Sequence, residues 1–313
     1  EIAIDSLMTP GLQLFISRRG KIIYNKSFGH HTYKKKTEVK NDHVYDLASL
    51  TKILATLPLV ITEVDRGKLK IDDTVGELIQ EYEGSNKSTI TVKEILSHYA
   101  RLVPWIPFYK ETIGKNSFPK RKYYRKSKSN RFSIPVNKNL YLKSNHLKKI
   151  DRIVKNSPLL DTLEYRYSDL AFFIVKKYFD NTYNESLQQI AHERIYKPLG
   201  LKRTMYNPAN IISSEEIVPS ELDTYFRHGE LRGYVHDMGA AMQSGIGGHA
   251  GLFSNATEVG VIMQMFLKKG KYDNKILFDD KTFDLFNYCY YCDKGNRRGV
   301  GFDKPQLDGR GST

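Results

Sequence analysis

The sequence predicts an α+β protein, with strands near the start and helices through the middle. Two segments of strand character, residues 12–17 and 21–28, flank a turn at residues 18–20, which predicts an antiparallel hairpin. Further along, apolar residues recur at three- and four-residue steps, the spacing of a helix that packs on a core. With 313 residues, 40% of them hydrophobic, the chain can bury a sizeable core.

The central helix is expected to begin near Ser49 and to end at Gly67. Its apolar positions form one face, and Pro58 is expected to bend it because proline lacks the N–H of one ladder hydrogen bond. No apolar run reaches the length of a membrane span. The residues that define the apolar face are Ile53, Leu54, Leu57, Val60, Ile61 and Val64.

Cap signals predict the later helices in chain order. Thr91 and Glu94 form a capping box for a helix that reaches about residue 98, and Ser168 is a suitable cap for the next helix. Another helix is expected over residues 186–196. Asn255 opens a last one, which should end at Gly270.

Ser49 and Lys52 carry the first chemical signal. A lysine in the first turn of a helix is unfavourable for structure alone, because the helix dipole favours acidic residues there. Beside a serine, a lysine held partly neutral can accept the hydroxyl proton, as in the Ser-x-x-Lys arrangement of acyl-transfer enzymes. The alternative is that Ser49 caps the helix and Lys52 points into water. Ser117 and Lys120 repeat the spacing, but a proline lies between them and no apolar face follows.

Charge and cysteine are unevenly distributed. The formal charge of +14 comes almost entirely from residues 110–155, where 15 Lys and Arg face only Glu111 and Asp151. Interleaved aromatics would suit nucleic acid, but we favour a solvated surface excursion drawn to anionic polymers or a membrane surface.

Cys289 and Cys292 form a lone Cys-x-x-Cys, either two thiols or one local disulfide; a zinc site would need two more ligands.

Five segments, in order, resemble the serine beta-lactamase and penicillin-binding-protein superfamily, in its class C and esterase branch. They span nearly the whole chain. The chain resembles one sub-branch more closely still, that of domains fused behind family 3 beta-N-acetylglucosaminidases. Residues 105–109, 234–237 and 301–305 carry this resemblance. The five segments are Tyr45-Asp-Leu-Ala-Ser-Leu-Thr-Lys52, Glu94-Ile-Leu-Ser-His98, Tyr167-Ser-Asp169, Lys197-Pro-Leu-Gly-Leu201 and Gly248-His-Ala-Gly-Leu-Phe-Ser254.

The resemblance implies roles for individual residues. Ser49 would be the acyl nucleophile, Lys52 its base or base relay, and Tyr167 the second base. Asp169 stands where the family more often has asparagine; if ionised, it would keep Lys52 charged and route the proton through Tyr167. The other implied substrate contacts are Trp105, His249 and Gly251. For His249, a place in a glycine-rich turn is the alternative. No cofactor and no metal are implied.

Two departures from the family pattern stand out. Arg101 occupies a position where the family usually has glycine, so the local loop is expected to differ. The third motif, Lys- or His-Thr-Gly on a core strand, is not found after residue 302. We expect it beyond residue 313, together with further strands of the sheet, so that the 313 residues are a C-terminally shortened form.

The resemblance implies one beta-lactamase-like domain over residues 1–313. Its α/β part would be residues 1–48 and about 245–313, and its helical part about 49–244, with a basic insertion at 106–155. We expect a bacterial, extracytoplasmic hydrolase of muropeptide amides or esters, with a glycosidase domain fused before residue 1, no nucleic-acid partner and no integral membrane segment. The alternatives are a beta-lactamase or carboxylesterase, and a non-catalytic binding module for cell-wall fragments.

Overall fold

The computed structural model of the protein describes residues 2–306 and 308. The expected mixture of helices and antiparallel strands is present. The α-helices are Ile2–Asp5 (α1), Leu57–Asp65 (α2), Val75–Leu78 (α3), Val92–Leu96 (α4), His146–Asn156 (α5), Leu170–Thr182 (α6), Leu187–Ala191 (α7), Met238–Ala241 (α8), Ala256–Leu267 (α9) and Asp280–Asn287 (α10). The strands are Gly11–Arg18 (β1), Lys21–Gly29 (β2), Tyr45–Asp46 (β3), Tyr124–Arg125 (β4), Ile134–Asn137 (β5), Leu140–Leu142 (β6), Met205–Tyr206 (β7), Glu221–Asp223 (β8), Gly229–Leu231 (β9), Leu252–Ser254 (β10), Lys271–Tyr272 (β11) and Lys275–Ile276 (β12).

The predicted hairpin is confirmed as the antiparallel pair β1 and β2, which runs from Gly11 opposite Gly29 to Arg18 opposite Lys21 with a shift in register between Ile16 and Ser17. Helix α9 packs against β1. The fit is close, because a Cβ placed on Gly260 of the helix would lie 2.4 Å from the Phe15 ring.

The central helix has three parts. A 3-10 turn, Ala48–Leu50, leads into a π-helical turn, Lys52–Thr56, and then into α2. The wide turn comes just before Pro58, whose missing N–H would otherwise break an α-helical ladder at this point. Both the Lys52 and Thr56 side chains are buried within this wide turn.

The capping predictions are largely confirmed. Thr91 caps α4 through a complete capping box, and Asn255 caps α9. Gly270 ends the last turn after α9 in the left-handed conformation. The helix expected over 186–196 is present as α7 followed by a second π-helical turn, His192–Tyr196.

The basic segment is a packed unit and not the loop the sequence suggested. Strands β4, β6 and β5 form a three-stranded antiparallel sheet, and α5 follows it. Tyr124, Phe132 and Ile150 are buried inside this unit, whereas most of its lysines and arginines face solvent.

A small antiparallel sheet, β3-β10-β7, joins the two parts of the chain that hold the candidate site. Phe253 of β10 pairs with Asp46 of β3, and Leu252 pairs with Tyr206 of β7. The main hydrophobic core extends from the central helix through α6 to α9. In the described part of the chain, every helix is too short or too polar to cross a bilayer.

Candidate active site

Ser49 lies on an exposed turn that its neighbours hold in a strained conformation. Ala48, directly before it, has φ +44°, a left-handed value that is costly for a residue with a Cβ. The Asp46 carboxylate accepts hydrogen bonds from the N–H of Ala48 at 2.9 Å and from that of His236 at 2.6 Å, and Thr51 Oγ1 donates to the Ala48 carbonyl. Burial raises the pKa of Asp46. The turn therefore holds the Ser49 hydroxyl at the start of the helix.

The Lys52 ammonium is surrounded by three oxygens. Its Nζ lies 2.9 Å from Ser49 Oγ, 2.7 Å from Asp169 Oδ1 and 3.2 Å from the His249 carbonyl oxygen. Lys52 is only 6% exposed. The interpretation that Lys52 points into water is therefore wrong. The carboxylate and the carbonyl fix the position of the Lys52 side chain beside the Ser49 hydroxyl.

Tyr167 covers the same lysine from the solvent side. Lys52 Nζ lies 5.0 Å from the centroid of the Tyr167 ring, which is 39% exposed. The His98 ring packs on the Tyr167 ring with centroids 4.5 Å apart, and His98 Nδ1 accepts a hydrogen bond from the Ser168 N–H at 3.2 Å. Burial and the nearby positive charges of Arg298 and Lys52 lower the pKa of His98 to about 3, so its imidazole is neutral.

The glycine-rich segment forms the wall behind Lys52. Thr56 Oγ1 donates to the Gly248 carbonyl at 2.7 Å, one residue before the His249 carbonyl that accepts from Lys52. Gly251 has φ +115°, and a Cβ there would lie 2.2 Å from the Gly245 carbonyl oxygen. Only glycine fits at this position, which sets the path of the segment.

The His249 ring is buried, with only 2% of the residue exposed. Its Nε2 lies 2.8 Å from Asp237 Oδ1, and it stacks on Phe173 at 4.4 Å. Burial opposes the charge on Asp237, but His249 offsets that effect and holds the Asp237 pKa well below its usual value. The structure thus brings the backbone of His249, and not its ring, to the cluster.

Trp105 lies on the segment that runs beside Tyr167 and Asp169. The Ser168 hydroxyl donates to the Val103 carbonyl at 2.7 Å, and the Asp169 N–H donates to the Pro104 carbonyl at 2.9 Å. Trp105 is 43% exposed, so its indole is available to a ligand. The cap residue of α6 is Asp169, which makes no side-chain cap hydrogen bond, so the prediction of Ser168 as the cap is wrong by one position; Ser168 Oγ still accepts from the Leu170 N–H at 3.1 Å.

The second Ser-x-x-Lys match has a different geometry. Lys120 Nζ donates to the Glu111 carbonyl at 2.9 Å, and the Ser117 carbonyl is near His228. Arg101 adopts φ +55°, so its loop keeps the left-handed backbone that glycine would favour. The expected change in that loop is therefore not seen in its backbone conformation.

A cleft of about 370 Å³ opens beside the Ser49 turn. Asp46 and Ala48 line it on one side and Ser220 and His236 on another. Tyr45 also lines it, and its hydroxyl has no hydrogen-bond partner among the described residues. Burial raises the pKa of Tyr45 to about 12, so it remains a neutral phenol. The cleft has the size of a small-ligand site.

Sequence reasoning did not assign three residues of this region to the site: Asp46, His98 and Asp237. Each lies within a segment that carried the family resemblance, but its contact is with a residue of another segment, 12 residues away for Asp237 and 70 or more for His98 and Asp46. The Asp46 carboxylate, for example, accepts a hydrogen bond from the N–H of His236, which lies 190 residues further along the chain. Spacing within a motif could not have revealed such contacts.

Within residues 2–306 and 308, no three His, Cys, Asp or Glu side chains are grouped closely enough to hold a metal ion. The arrangement that is present suits acyl transfer: an exposed hydroxyl contacts a buried ammonium, and the ring of a phenol lies over that ammonium. In the first turn the Ser49 N–H is the group placed to stabilise an oxyanion, because the Ala48 and Leu50 N–H groups already donate to Asp46 and to the Leu47 carbonyl.

The fold and the Ser-x-x-Lys cluster together define a beta-lactamase-like protein. The beta-lactamase family model matches residues 3–302, and the chain belongs to that family. The N-acetylmuramyl-L-alanine amidase of Bacillus subtilis strain 168 is 29% identical over 304 residues, which is 88% of this chain and 63% of that protein. A putative D-alanyl-D-alanine carboxypeptidase of Salmonella typhimurium is also 29% identical, over 88% of this chain and 65% of that protein. The chain thus spans less than two thirds of the length of these relatives.

Solved structures with similar folds cover nearly the whole chain. The octameric penicillin-binding protein homologue from Pyrococcus abyssi matches 92% of this chain and 58% of its own, with a TM-score of 0.67 at 15% identity. A class C beta-lactamase from Rhodobacter sphaeroides matches 91% of this chain and 68% of its own, with a TM-score of 0.60 at 15% identity. At these identities the likeness shows the fold alone.

Proposed function

We propose that the protein is a serine hydrolase that forms an acyl-enzyme on Ser49. The contact that carries the proposal is the 2.9 Å distance between Lys52 Nζ and Ser49 Oγ, made by a lysine that is otherwise bound to Asp169 and the His249 carbonyl. A lysine serving only as a surface charge would not be buried at a helix start. This position is unfavourable for a cation unless the surrounding groups offset the cost.

In the proposed acylation step, Tyr167 acts as the base. The step requires Tyr167 as its tyrosinate, while Lys52, which is bound to Asp169 and the His249 carbonyl, orients the Ser49 hydroxyl. Ser49 Oγ attacks the carbonyl carbon as its proton passes to Tyr167. The Ser49 N–H, at the positive end of the helix, supports the oxyanion. Tyr167 then protonates the leaving amine as the bond to it breaks.

Deacylation reverses the roles with water as nucleophile. Tyr167 accepts a proton from the water, whose oxygen attacks the acyl carbon, and returns a proton to Ser49 Oγ as the ester breaks. His98 serves as a positioning residue, because its neutral ring packs on Tyr167 and its Nδ1 holds the Ser168 N–H.

The proposed substrate is an amide of a peptidoglycan-derived muropeptide. One relative is named an N-acetylmuramyl-L-alanine amidase and another a putative D-alanyl-D-alanine carboxypeptidase, and both names support this substrate class. The cleft beside Ser49 and the exposed indole of Trp105 would bind the sugar and peptide parts. Gly251 shapes the wall of the site, and His249 contributes its carbonyl.

An extracytoplasmic location is part of the same proposal. Cys289 and Cys292 form a disulfide, which favours an oxidising compartment over the cytosol. Muropeptides arise at the cell wall, so the substrate and the disulfide support the same location. We propose a bacterial cell-envelope enzyme.

The test is turnover of two defined peptides by the full chain and by Ser49→Ala. We expect release of peptide from an N-acetylmuramyl-L-alanyl peptide, and none by the variant. Release of D-alanine from a D-Ala-D-Ala peptide instead would favour a carboxypeptidase, and hydrolysis of a chromogenic beta-lactam alone would favour a beta-lactamase. Binding of either peptide without turnover, unchanged in Lys52→Met, would favour a non-catalytic binding module and contradict the proposal.

A further inference from the structure

The basic unit of residues 110–155 lines a groove that shares no lining residue with the cleft beside Ser49. The groove has a volume of about 1000 Å³, larger than the cleft beside Ser49, and none of the Ser49 cluster residues lines it. Six exposed cations, and no acidic side chain, are among its lining residues. The six are Arg121, Arg125, Lys126, Lys128, Arg131 and Lys138.

These cations are not neutralised by carboxylates. The only acidic residues of the unit, Glu111 and Asp151, are paired with Lys149 and Lys177. Among the described residues, none of the six groove cations forms an ion pair, in contrast to Arg227 at the groove's edge, which is bound to Asp223 at 2.7 Å. A cluster of uncompensated like charges destabilises the unbound protein and favours a polyanionic ligand.

Packing holds part of the cluster in place. The guanidinium of Arg125 lies 4.5 Å from the centroid of the Phe132 ring, and that of Arg131 lies 5.9 Å from the same centroid. Arg125 also donates to the Tyr124 carbonyl at 2.8 Å. Two arginines are therefore fixed around one buried aromatic ring, which reduces the entropy lost when they bind an anion.

The aromatic residues of the groove argue against a nucleic acid. Tyr124 and Phe132 are buried, so their faces are not available for stacking. Phe118 is exposed, but it stacks on His228 with ring centroids 4.1 Å apart. A single-stranded nucleic acid gains affinity from successive bases stacked on aromatic side chains, and this groove offers one such surface at most.

From these contacts we propose that the groove binds a linear polymer whose backbone carries phosphates and has no aromatic bases. Arginine forks match phosphate oxygens in pairs, and several cations along one groove match a repeating charge. The volume exceeds what a single phosphate fills. The groove would hold the enzyme on such a polymer while the Ser49 site remains free to react.

Inorganic polyphosphate is the probe that tests this proposal, with binding to the full chain measured by fluorescence anisotropy over a range of salt. The test variant is the triple change Arg121→Ala, Arg125→Ala and Arg131→Ala. The matched control removes three exposed cations outside the groove, through Lys34→Ala, Lys35→Ala and Lys36→Ala. We expect the groove variant to weaken binding by roughly two orders of magnitude and to lower the salt slope by about 2, with little change in the control.

Four results would overturn the proposal. Equal weakening in both triple variants would show a response to net charge alone. Tighter binding of a single-stranded oligonucleotide than of polyphosphate would assign the groove to nucleic acid. Equal binding of polygalacturonate would remove the preference for phosphate, and binding confined to anionic phospholipid vesicles would assign a membrane surface. Unchanged thermal unfolding of the groove variant shows that it is folded; for a misfolded variant, Arg131→Ala alone is measured against Lys36→Ala.

Discussion

Lys52 and Asp169 form an ion pair of 2.7 Å between side chains that are nearly buried, on elements more than a hundred residues apart. The pair joins the π-helical turn that begins at Lys52 to the start of α6. It is also one of the contacts that hold the Lys52 side chain beside Ser49.

Removing one partner of this pair should cost more than removing both. Lys52→Met leaves a carboxylate without its cation, and we expect the free energy of unfolding to fall by about 3 kcal/mol. Adding Asp169→Asn should recover part of that loss, because no buried charge is then unpaired. Urea denaturation of both single variants and the double variant measures the coupling. Additive losses would contradict the ion pair.

Tyr167→Phe should reduce kcat/KM by roughly 10² to 10⁴, the usual contribution of a general acid or base, without affecting stability. The ring would still pack on His98, and only the hydroxyl is lost. Tyr165 is a matched control, since it is 42% exposed, near the 39% of Tyr167, and lies two residues away. Equal rates for Tyr167→Phe and Tyr165→Phe would exclude Tyr167 as the base.

Gly251→Ala should destabilise the protein much more than Gly67→Ala. Both glycines have positive φ, so each variant carries the left-handed cost of about 1–2 kcal/mol. A Cβ at Gly67 meets nothing within 4 Å, whereas a Cβ at Gly251 would lie 2.2 Å from the Gly245 carbonyl. Thermal unfolding of the two variants compares the costs directly. Similar unfolding midpoints for the two variants would show that the backbone around Gly251 shifts at little cost to accept a Cβ.

Stability should fall as pH drops from about 6.5 to about 4. Burial, with the neighbouring His43 and Arg232, lowers the pKa of His31 to about 4, so the unfolded chain binds a proton over this range that the folded chain does not. His31 Nε2 lies 2.7 Å from His43 Nδ1. Urea unfolding at a series of pH values should show a smaller loss in His31→Asn than in the parent. An identical pH dependence of stability in His31→Asn and in the parent would exclude His31 as a cause of the loss of stability at low pH.

Local patterns predicted the elements that depend on local physics. The hairpin around Gly20, the capping box of Thr91 and the cap of Asn255 each depend on residues within a few positions of one another, and each is confirmed. The π-helical turn before Pro58 could not be predicted. The turn carries Thr56, whose hydroxyl binds the carbonyl of Gly248, 192 residues further along, a contact that no local pattern encodes.

The candidate site was predicted in part for the same reason. Spacing placed Lys52 one turn after Ser49, and the resemblance added Tyr167 and Asp169, which the structure brings to the same lysine. The contribution of His249 through its carbonyl depends on a contact between residues 197 apart, which no local pattern encodes. We expected the basic segment to be a solvated excursion, because its many charges gave no regular apolar pattern from which its small core could be predicted.

The most direct test of the central claim is the site of covalent labelling by a serine-reactive fluorophosphonate, read by mass spectrometry of the digested protein. We predict one adduct, on the peptide that contains Ser49, which is lost in Ser49→Ala and strongly reduced in Tyr167→Phe. An adduct on another serine, or labelling that persists unchanged in Ser49→Ala, would contradict it.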